Sequence, residues 1–261
     1  MIKENNFNAL AERAREHKYS SMSYIDFDDC KNACILHDCD ELILLQDKSK
    51  TPAMLYFATD NFQLVIDAIA QISGAIKLHF VPREFAGQLE HLGFTEWGEF
   101  FDFFNTNLSA TAASLGDIGT IEYLMPDECE AAATVSKRCE LQSRGFESIP
   151  AEHFMEYLND GDVIICRKDS AIAGFCVVTI YNEGTMLWIR ALAVDPAYQS
   201  MGLGKKLIEQ AITYGVQKGA VKAFLHADVL NKNAIGLYNK YNLCSKYKDG
   251  ELQMVRKGQT K

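Results

Sequence analysis

The chain has 261 residues, of which 48% are hydrophobic and 23% are charged, and its formal net charge at pH 7 is −9. No apolar run approaches the ~20 residues of a membrane-spanning helix, and the polar residues 1–6 lack the apolar core of a secretory signal. The eight cysteines lack the dense spacing of a secreted disulfide scaffold. We therefore expect a cytoplasmic protein of two ordinary domains with no membrane partner.

The negative charge lies in the first half of the chain. Residues 1–118 hold nine Lys and Arg against eighteen Asp and Glu, whereas the remainder holds seventeen of each kind. Because phosphate backbones require a basic surface, this balance predicts no nucleic-acid partner. It is compatible with a cationic substrate such as an amine, although an acidic balance also simply favours solubility.

The first half predicts alternating strands and helices. Asn61 is suited to cap a helix that runs to Gln71, because its side chain can accept hydrogen bonds from exposed backbone N–H groups. In chain order, the predicted elements are a helix at 7–18, strands at 41–46 and 52–58, a helix at 61–71, a strand at 75–80, a helix that begins at 82 and ends before 93, and an aromatic strand at 96–104.

Four residues with metal-binding side chains, Cys30, Cys34, His37 and Cys39, lie within ten positions. Their spacing fits no common ligand pattern and no second pair follows, so we predict no metal. Half-buried cysteines at a helix end are expected instead, because free cysteine behaves as a small apolar residue.

Residues 106–118 are small and polar, which predicts a linker. The expected domains are therefore 1–105 and 119–261. The second domain is predicted to contain strands at 121–124, 163–167, 171–181 and 185–194, a helix from Pro126 to about Arg144 and another from Pro150 to Leu158.

A glycine-bearing loop follows the strand at 185–194. The segment Gln199-Ser200-Met201-Gly202-Leu203-Gly204-Lys205 precedes a helical pattern that includes Leu207, Ile208, Ala211 and Ile212. Glycines allow close backbone approach, and the free N–H groups of a helix start favour an anion such as phosphate. The spacing fits neither a Walker loop nor a dinucleotide fingerprint. A pyrophosphate loop of another kind is predicted.

A second motif lies downstream, where Asn231, Ala234, Leu237 and Tyr238 match Asn-x-x-Ala-x-x-Leu-Tyr. Together with Gln-x-x-Gly-x-Gly at 199–204, it makes residues 119–257 resemble the GNAT superfamily of N-acetyltransferases. The resemblance implies an α/β (α+β) fold with a mixed, mostly antiparallel central sheet flanked by helices.

The same resemblance implies acetyl-CoA as co-substrate. Tyr238 would protonate the departing thiolate, although a packing tyrosine is the alternative. Asn231 would lie near the coenzyme arm, and we expect Asn233 to cap a helix. The residues expected to bind the coenzyme are Leu192, Ala193, Val194, Gln199, Ser200, Met201, Gly202, Leu203, Gly204, Lys205 and Asn231.

The general base remains open. Some family members carry a glutamate in the core strand, but Trp188 stands at the comparable position and cannot accept a proton. Glu183, His226 and Asp228 are alternatives that the sequence does not separate. Strand alternation raises the hypothesis that Trp188 and Arg190 line the acceptor pocket.

The first half repeats the order of elements of the second half, which suggests an internal repeat at the level of the fold. Its loop, Thr59-Asp60-Asn61, has no glycine pair and carries an acid where phosphate would lie. We therefore expect residues 1–105 to be a degenerate GNAT-like domain that cannot hold coenzyme A. An unrelated α/β domain is the alternative.

The resemblance implies transfer of an acetyl group from acetyl-CoA to a primary amine by direct attack in a ternary complex, without a covalent enzyme intermediate. A small-molecule amine is the expected acceptor. Protein N-terminal or lysine acetylation and a non-catalytic coenzyme A-binding module are the alternatives. A homodimer is compatible with the sequence.

Overall fold

The computed structural model describes residues 2–23, 25–140, 142–245 and 250–258. The chain divides into two compact units, one formed by residues 1–99 with 251–261 and the other by residues 100–250. Within the described ranges, no helix is both long and apolar enough to cross a membrane.

Unit 1 contains most of the predicted elements of the first half. Its elements in chain order are α1 (Glu4–Ala14), β1 (Tyr19–Ser20), α2 (Phe27–Cys30), β2 (Cys34–Asp38), β3 (Leu42–Asp47), β4 (Ala53–Thr59), α3 (Phe62–Ala70), β5 (Ile76–Leu78), α4 (Ala86–His91) and the first half of β6 (Phe94–Asn105). The hairpin β3–β4 confirms the predicted strand pair. Asn61 caps α3 as expected, since its side chain accepts from the N–H of Gln63 at 3.2 Å.

Unit 2 contains the remaining elements except the last strand of the chain. These are the second half of β6, α5 (Leu108–Ala113), β7 (Glu122–Tyr123), α6 (Cys129–Cys139), α7 (Ala151–Asp160), β8 (Asp162–Lys168), β9 (Ala171–Tyr181), β10 (Met186–Val194), α8 (Leu203–Gln217), β11 (Lys222–Asp228) and α9 (Lys232–Asn239). The last strand, β12 (Glu251–Arg256), belongs to unit 1.

Each unit has a mixed, mostly antiparallel sheet, as predicted. The strand order is β2-β3-β4-β5-β12-β6 in unit 1 and β6-β11-β10-β9-β8-β7 in unit 2. Strand β4 pairs with β5 in parallel, as β10 does with β11, and each of these pairs is joined through a crossover helix, α3 or α8.

Helices cover both faces of each sheet. In unit 1, one core packs around Phe57 and Phe62, and the other around Phe7 and Ile43. In unit 2, α8 packs against one face of the sheet in a core around Leu187. Helices α6 and α7 pack against the other face in a second core. This two-faced burial is consistent with an α/β fold.

The structure corrects the expected domain boundaries. The predicted linker contains α5, whose Leu108 is fully buried in the core of unit 2. Asn107 caps this helix by accepting from the N–H of Ala110 at 3.2 Å, which is how a polar stretch becomes ordered. The boundary between the units falls within β6, and residues 251–256 pair with β5 rather than completing the second domain.

Two other local predictions were wrong. The helix expected to reach Arg144 ends at Cys139. Cys30 is buried at the end of α2, but Cys34 lies on the exposed strand β2 and Cys39 follows it, also exposed. The cysteines therefore do not form one half-buried group.

Candidate active site

Strands β10 and β11 separate near their carboxyl ends. Their parallel pairing runs from Met186 opposite Lys222 to Ile189 opposite Leu225. A β-bulge at this point shifts the register between β10 and β9, between Ile189 and Ala191. Beyond it, β10 continues to Val194 against β9 while β11 continues against β6. A bulge bends and twists the strand that carries it, which accounts for an opening between the two strands.

The opening exposes an edge of β10. Asp195 donates its N–H to the carbonyl of Ala173 on β9 at 2.9 Å. Because ladder hydrogen bonds alternate along an antiparallel strand, Val194 and Leu192 direct their backbone groups to the opposite side. The Val194 carbonyl there accepts from the Gln199 amide at 3.2 Å. The backbone of Leu192 is therefore positioned to pair with an extended ligand.

The glycine loop leads from this edge to the start of α8. Ser200 and Gly202 both have left-handed backbone conformations, with φ of 64° and 80°. Gly202 is the N-cap residue, and no side chain caps the helix. The first N–H groups of this 15-residue helix are thus available to an anion, which the helix dipole also favours. A side chain at Gly202 would strain this turn.

Helix α9 supplies the other wall. Asn231 is its N-cap and accepts from the N–H of Ala234 at 3.1 Å. The prediction that Asn233 caps this helix was therefore wrong: Asn233 is the second residue of the helix. One helical face carries Ala234, Leu237 and Tyr238 toward the opening.

These elements enclose a cavity of about 550 Å³ within unit 2. It is lined by Cys139, Gln142, Ser143, Phe146, Leu192, Ala193, Val194, Tyr198, Gln199, Ser200, Gly202, Leu203, Gly204, Asn231, Asn233, Ala234, Leu237 and Tyr238. Of the residues predicted to bind coenzyme or act as acid, only Met201 and Lys205 do not line it. The Met201 side chain is exposed, and the Lys205 ammonium lies 3.8 Å from the Glu209 carboxylate.

Tyr238 is almost fully buried in this wall. Burial raises the pKa of its phenol, so the hydroxyl is protonated at neutral pH and able to donate a proton or hydrogen bond. Its ring also lies near Phe103, with centroids 6.1 Å apart. The packing role and the acid role considered for this tyrosine are compatible.

The sequence did not predict the contribution of the segment that follows α6. Cys139, Gln142, Ser143 and Phe146 line the cavity, but no spacing pattern marks them. Cys139 donates its thiol to the Val194 carbonyl at a sulfur–oxygen distance of 3.4 Å. Burial raises the pKa of this thiol to about 11, so Cys139 is a poor nucleophile at neutral pH.

An ion pair fixes this segment to the end of β11. Arg144 donates from Nε and Nη2 to the two carboxylate oxygens of Asp228 at 2.9 and 2.8 Å. Burial opposes ionisation of Asp228, but hydrogen bonds from Arg144 and from the Leu230 N–H outweigh it and lower the pKa of the carboxyl. A carboxylate held this way is a weak proton acceptor, which disfavours Asp228 as the general base.

The structure separates the remaining base candidates. Glu183 lies in the turn before β10, and about 20 Å of strand separates the start of β10 at Met186 from Leu192. His226 lies on β11 beside the opening, and its Nδ1 is 2.9 Å from Oδ1 of Asp102 on β6. Trp188 packs parallel to Phe224, with ring centroids 5.4 Å apart. Of the three candidates Glu183, His226 and Asp228, His226 is therefore the best placed.

In unit 1 the chain itself occupies the corresponding strand edge. Strand β4 pairs with β5 only from Ala53 to Leu55. Beyond that point β1 pairs with Ala58 and Thr59, and Phe57 donates its N–H to Ser21 Oγ at 2.8 Å. With the start of α3 already capped by Asn61, this geometry supports the prediction that unit 1 does not hold coenzyme A.

The chain is similar to known proteins in sequence over part of its length and in architecture over most of it. Residues 127–242 match the model of the Acetyltransferase (GNAT) family. No curated protein sequence matches the chain. A functionally unknown conserved protein from Staphylococcus epidermidis ATCC 12228 is similar in structure, with a TM-score of 0.59 at 15% identity, covering 91% of this chain and 100% of that chain.

Two similar structures are GCN5-related N-acetyltransferases. The protein from Kribbella flavida has a TM-score of 0.57 at 15% identity and covers 87% of this chain and 91% of its own. The protein from Sphaerobacter thermophilus has a TM-score of 0.55 at 13% identity and covers 84% of this chain and 82% of its own. At these identities the likeness shows a common fold. The family match over 127–242, which includes the cavity-lining residues, identifies this part of the chain as a domain of the GNAT family of acetyltransferases.

Proposed function

We propose that unit 2 transfers an acetyl group from acetyl-CoA to the primary amine of a small molecule. The observation that carries this proposal is one cavity in which an open strand edge, an uncapped helix start and a buried tyrosine meet. Each of these features matches a different part of an acyl-CoA thioester: its amide-bearing arm, its diphosphate and its sulfur leaving group.

The cavity residues fit coenzyme A. The backbone N–H groups from Gly202 to Lys205 would hold the diphosphate, because charge-assisted hydrogen bonds are stronger than neutral ones. The backbone of Leu192 and Val194 would pair with the amide groups of the pantetheine arm. When bound, acetyl-CoA supplies an activated thioester carbonyl.

The chain's own groups would then handle charge and protons. The Leu192 N–H would polarise the thioester carbonyl at the open edge. A base removes one proton from the acceptor ammonium, its nitrogen bonds to the acetyl carbon, and the carbon–sulfur bond breaks. Tyr238 donates a proton to the thiolate and regains one as the amide nitrogen loses its second proton. The raised pKa of Cys139 favours this direct route over an acyl-cysteine.

The segment after α6 supports a small acceptor. Arg144 and Asp228 fix it beside the cavity, and a Cβ at Gly145 would lie only 2.3 Å from the Phe100 ring, so the backbone is packed closely there. A fixed segment at the mouth leaves less room for an extended peptide than an open groove would.

Calorimetric titration with coenzyme A, followed by a thiol-release assay with acetyl-CoA and a panel of amines and peptides, tests the proposal. We expect coenzyme A to bind and small amines to be acetylated. Faster turnover of peptides would instead favour a protein acetyltransferase. Binding without turnover of any amine would favour a coenzyme A-binding module, and absence of binding would refute the proposal.

A further inference from the structure

The surface beside the bulge of β10 carries a cation, Arg190, that has no ionic partner among the residues that the structure describes. Unit 2 has four arginines, and three are ion-paired: Arg138 with Asp195, Arg144 with Asp228, and Arg167 with Glu122 and Glu128. The fourth, Arg190, is exposed and forms no ion pair or hydrogen bond with the described part of the chain. Its donors are therefore available to a ligand.

Arg190 is nonetheless held in a defined position. Its guanidinium carbon lies 4.2 Å from the centre of the Trp188 ring and 5.0 Å from that of Tyr157 on α7. Stacking on two rings orients the planar guanidinium and reduces the entropy lost when it binds an anion. A solvated surface arginine would lack this preorganisation.

Arg190 and His226 each follow the last paired residue of their strand, Ile189 and Leu225. Trp188 on β10 is paired with Phe224 on β11 in parallel, and two residues further along each strand stand Arg190 and His226. Because side chains alternate along a strand, His226 shares a face with Phe224. Arg190 contacts Trp188, whose ring stacks on Phe224. Both polar groups therefore lie on one face, where the two strands part.

His226 is also oriented by its neighbours. Its Nδ1 is 2.9 Å from Oδ1 of Asp102, and its ring stacks on Phe100 with centroids 5.1 Å apart. When Nδ1–H is donated to the carboxylate, the lone pair of the neutral ring is on Nε2. The imidazole side chain is 36% exposed.

We propose that this surface binds the acceptor, and that the acceptor is a small amine carrying an anionic group. Arg190 binds the anion, and His226, oriented by Asp102, takes the proton that the acceptor ammonium loses before its nitrogen attacks the thioester. This inference rests on the proposed acetyltransferase function and adds to it the substrate class and the general base.

The test compares an amino acid with its carboxamide, and an aminoalkyl phosphonate with the parent amine. The four are assayed with the native chain, Arg190→Leu, Arg190→Lys and a matched control, Lys222→Leu. Lys222 is an exposed cation at the opposite end of β11. Calorimetric titration of each amine without acetyl-CoA gives a readout independent of turnover.

We expect the native chain to prefer an anionic amine over its uncharged match, and Arg190→Leu to reduce kcat/KM and affinity for that amine by about 10- to 100-fold while changing the uncharged match little. Arg190→Lys should be intermediate, and Lys222→Leu should behave like the native chain. Whichever of the two anionic amines, the carboxylate or the phosphonate, has the higher kcat/KM and affinity identifies the anion. His226→Gln should lower kcat with little change in amine affinity.

If Arg190→Leu reduced kcat/KM and affinity equally for the anionic amine and its uncharged match, the anion assignment would be overturned. A preference for an anionic acyl donor, such as succinyl-CoA over acetyl-CoA, that disappears in Arg190→Leu would also overturn it, because the anion would then belong to the donor. Unchanged kcat in His226→Gln would overturn the base assignment. Titration of the same variants with coenzyme A measures whether the coenzyme binds. It therefore separates these outcomes from failure of the acetyltransferase proposal, in which coenzyme A would not bind.

Discussion

Arg144 and Asp228, which are 84 positions apart in the sequence, form a bidentate ion pair. It joins the segment that lines one side of the cavity to the end of β11, directly before Asn231 and the second sequence motif. The Asp228 side chain is 2% exposed and the Arg144 side chain 31% exposed. This ion pair therefore both holds a cavity-lining segment in place and contributes to the stability of the fold.

Removing one partner of this ion pair should destabilise the folded chain. In Arg144→Met the buried carboxylate loses its partner, a change that typically costs 3–5 kcal/mol; because Arg144 is partly exposed, we expect about 2–3 kcal/mol. Urea unfolding measures the difference. Lys137→Met, which removes the exposed pair with Glu140, should change stability little. Equal effects of the two variants would show that the Arg144 pair has no special role.

The contribution of this pair should also depend on pH. The pKa of Asp228 is lowered in the folded chain, so its stabilisation is fully present above the ordinary aspartate pKa of about 3.9 and is lost as pH falls through the lower folded value. The difference in unfolding free energy between the native chain and Asp228→Asn should therefore be constant near neutral pH and shrink below about pH 4. A difference that grew with acidity would contradict this assignment.

Placing an acid at Gly204 should abolish coenzyme binding without unfolding the helix. A Cβ there would meet only Leu237 at 3.6 Å and Val194 at 3.9 Å, which are ordinary contacts, and a carboxylate is favourable at a helix N-terminus. Gly204→Asp should therefore fold but repel the diphosphate, with a loss of affinity of about 100-fold or more. Calorimetry with coenzyme A measures it, and Gly204→Ala should bind nearly normally. Unchanged affinity in Gly204→Asp would move the diphosphate elsewhere.

Local patterns predicted the parts of the site that are continuous in sequence. The strand before Val194, the turn at Gly202 and helix α8 follow from strand formers, glycines and 3.6-residue spacing within a short window. The order of elements in unit 1 followed in the same way, including the Asn61 cap. Recognition of the two motifs then gave the sheet type, which periodicity alone would not have given.

Features that depend on distant contacts were not predictable. Nothing in the residues around Arg144 indicates Asp228 as its partner, and the small polar residues around Leu108 resemble a linker until their packing against α8 is known. The choice between Asn231 and Asn233 as helix cap depends on a shift of two residues in the helix start, which is within the usual uncertainty of helix ends. The pairing of residues 251–256 with β5 is likewise set by tertiary structure.

Coenzyme A should bind with a stoichiometry of one per chain. In unit 1, Ser21 Oγ accepts the Phe57 N–H and the Ser21 N–H is donated to the Phe57 carbonyl at 2.9 Å, so the edge of β4 is already paired. A ligand there would have to displace β1 and would lose these bonds. Calorimetric titration gives the stoichiometry directly. A value of two, or a single site that survives Gly204→Asp, would place a coenzyme in unit 1.

Removing the Tyr238 hydroxyl should slow turnover more than it weakens binding. In Tyr238→Phe the ring still packs near Phe103, so the fold and coenzyme affinity should change little, whereas kcat should fall by about 100- to 10,000-fold if the hydroxyl is the proton donor. Burial raises the pKa of this phenol, so the native chain should keep its donor protonated and lose activity on the alkaline side only well above neutral pH. Steady-state kinetics of both forms, with calorimetry as the control for binding, separate the two roles. A drop in coenzyme affinity equal to the drop in rate would identify Tyr238 as a packing residue rather than an acid.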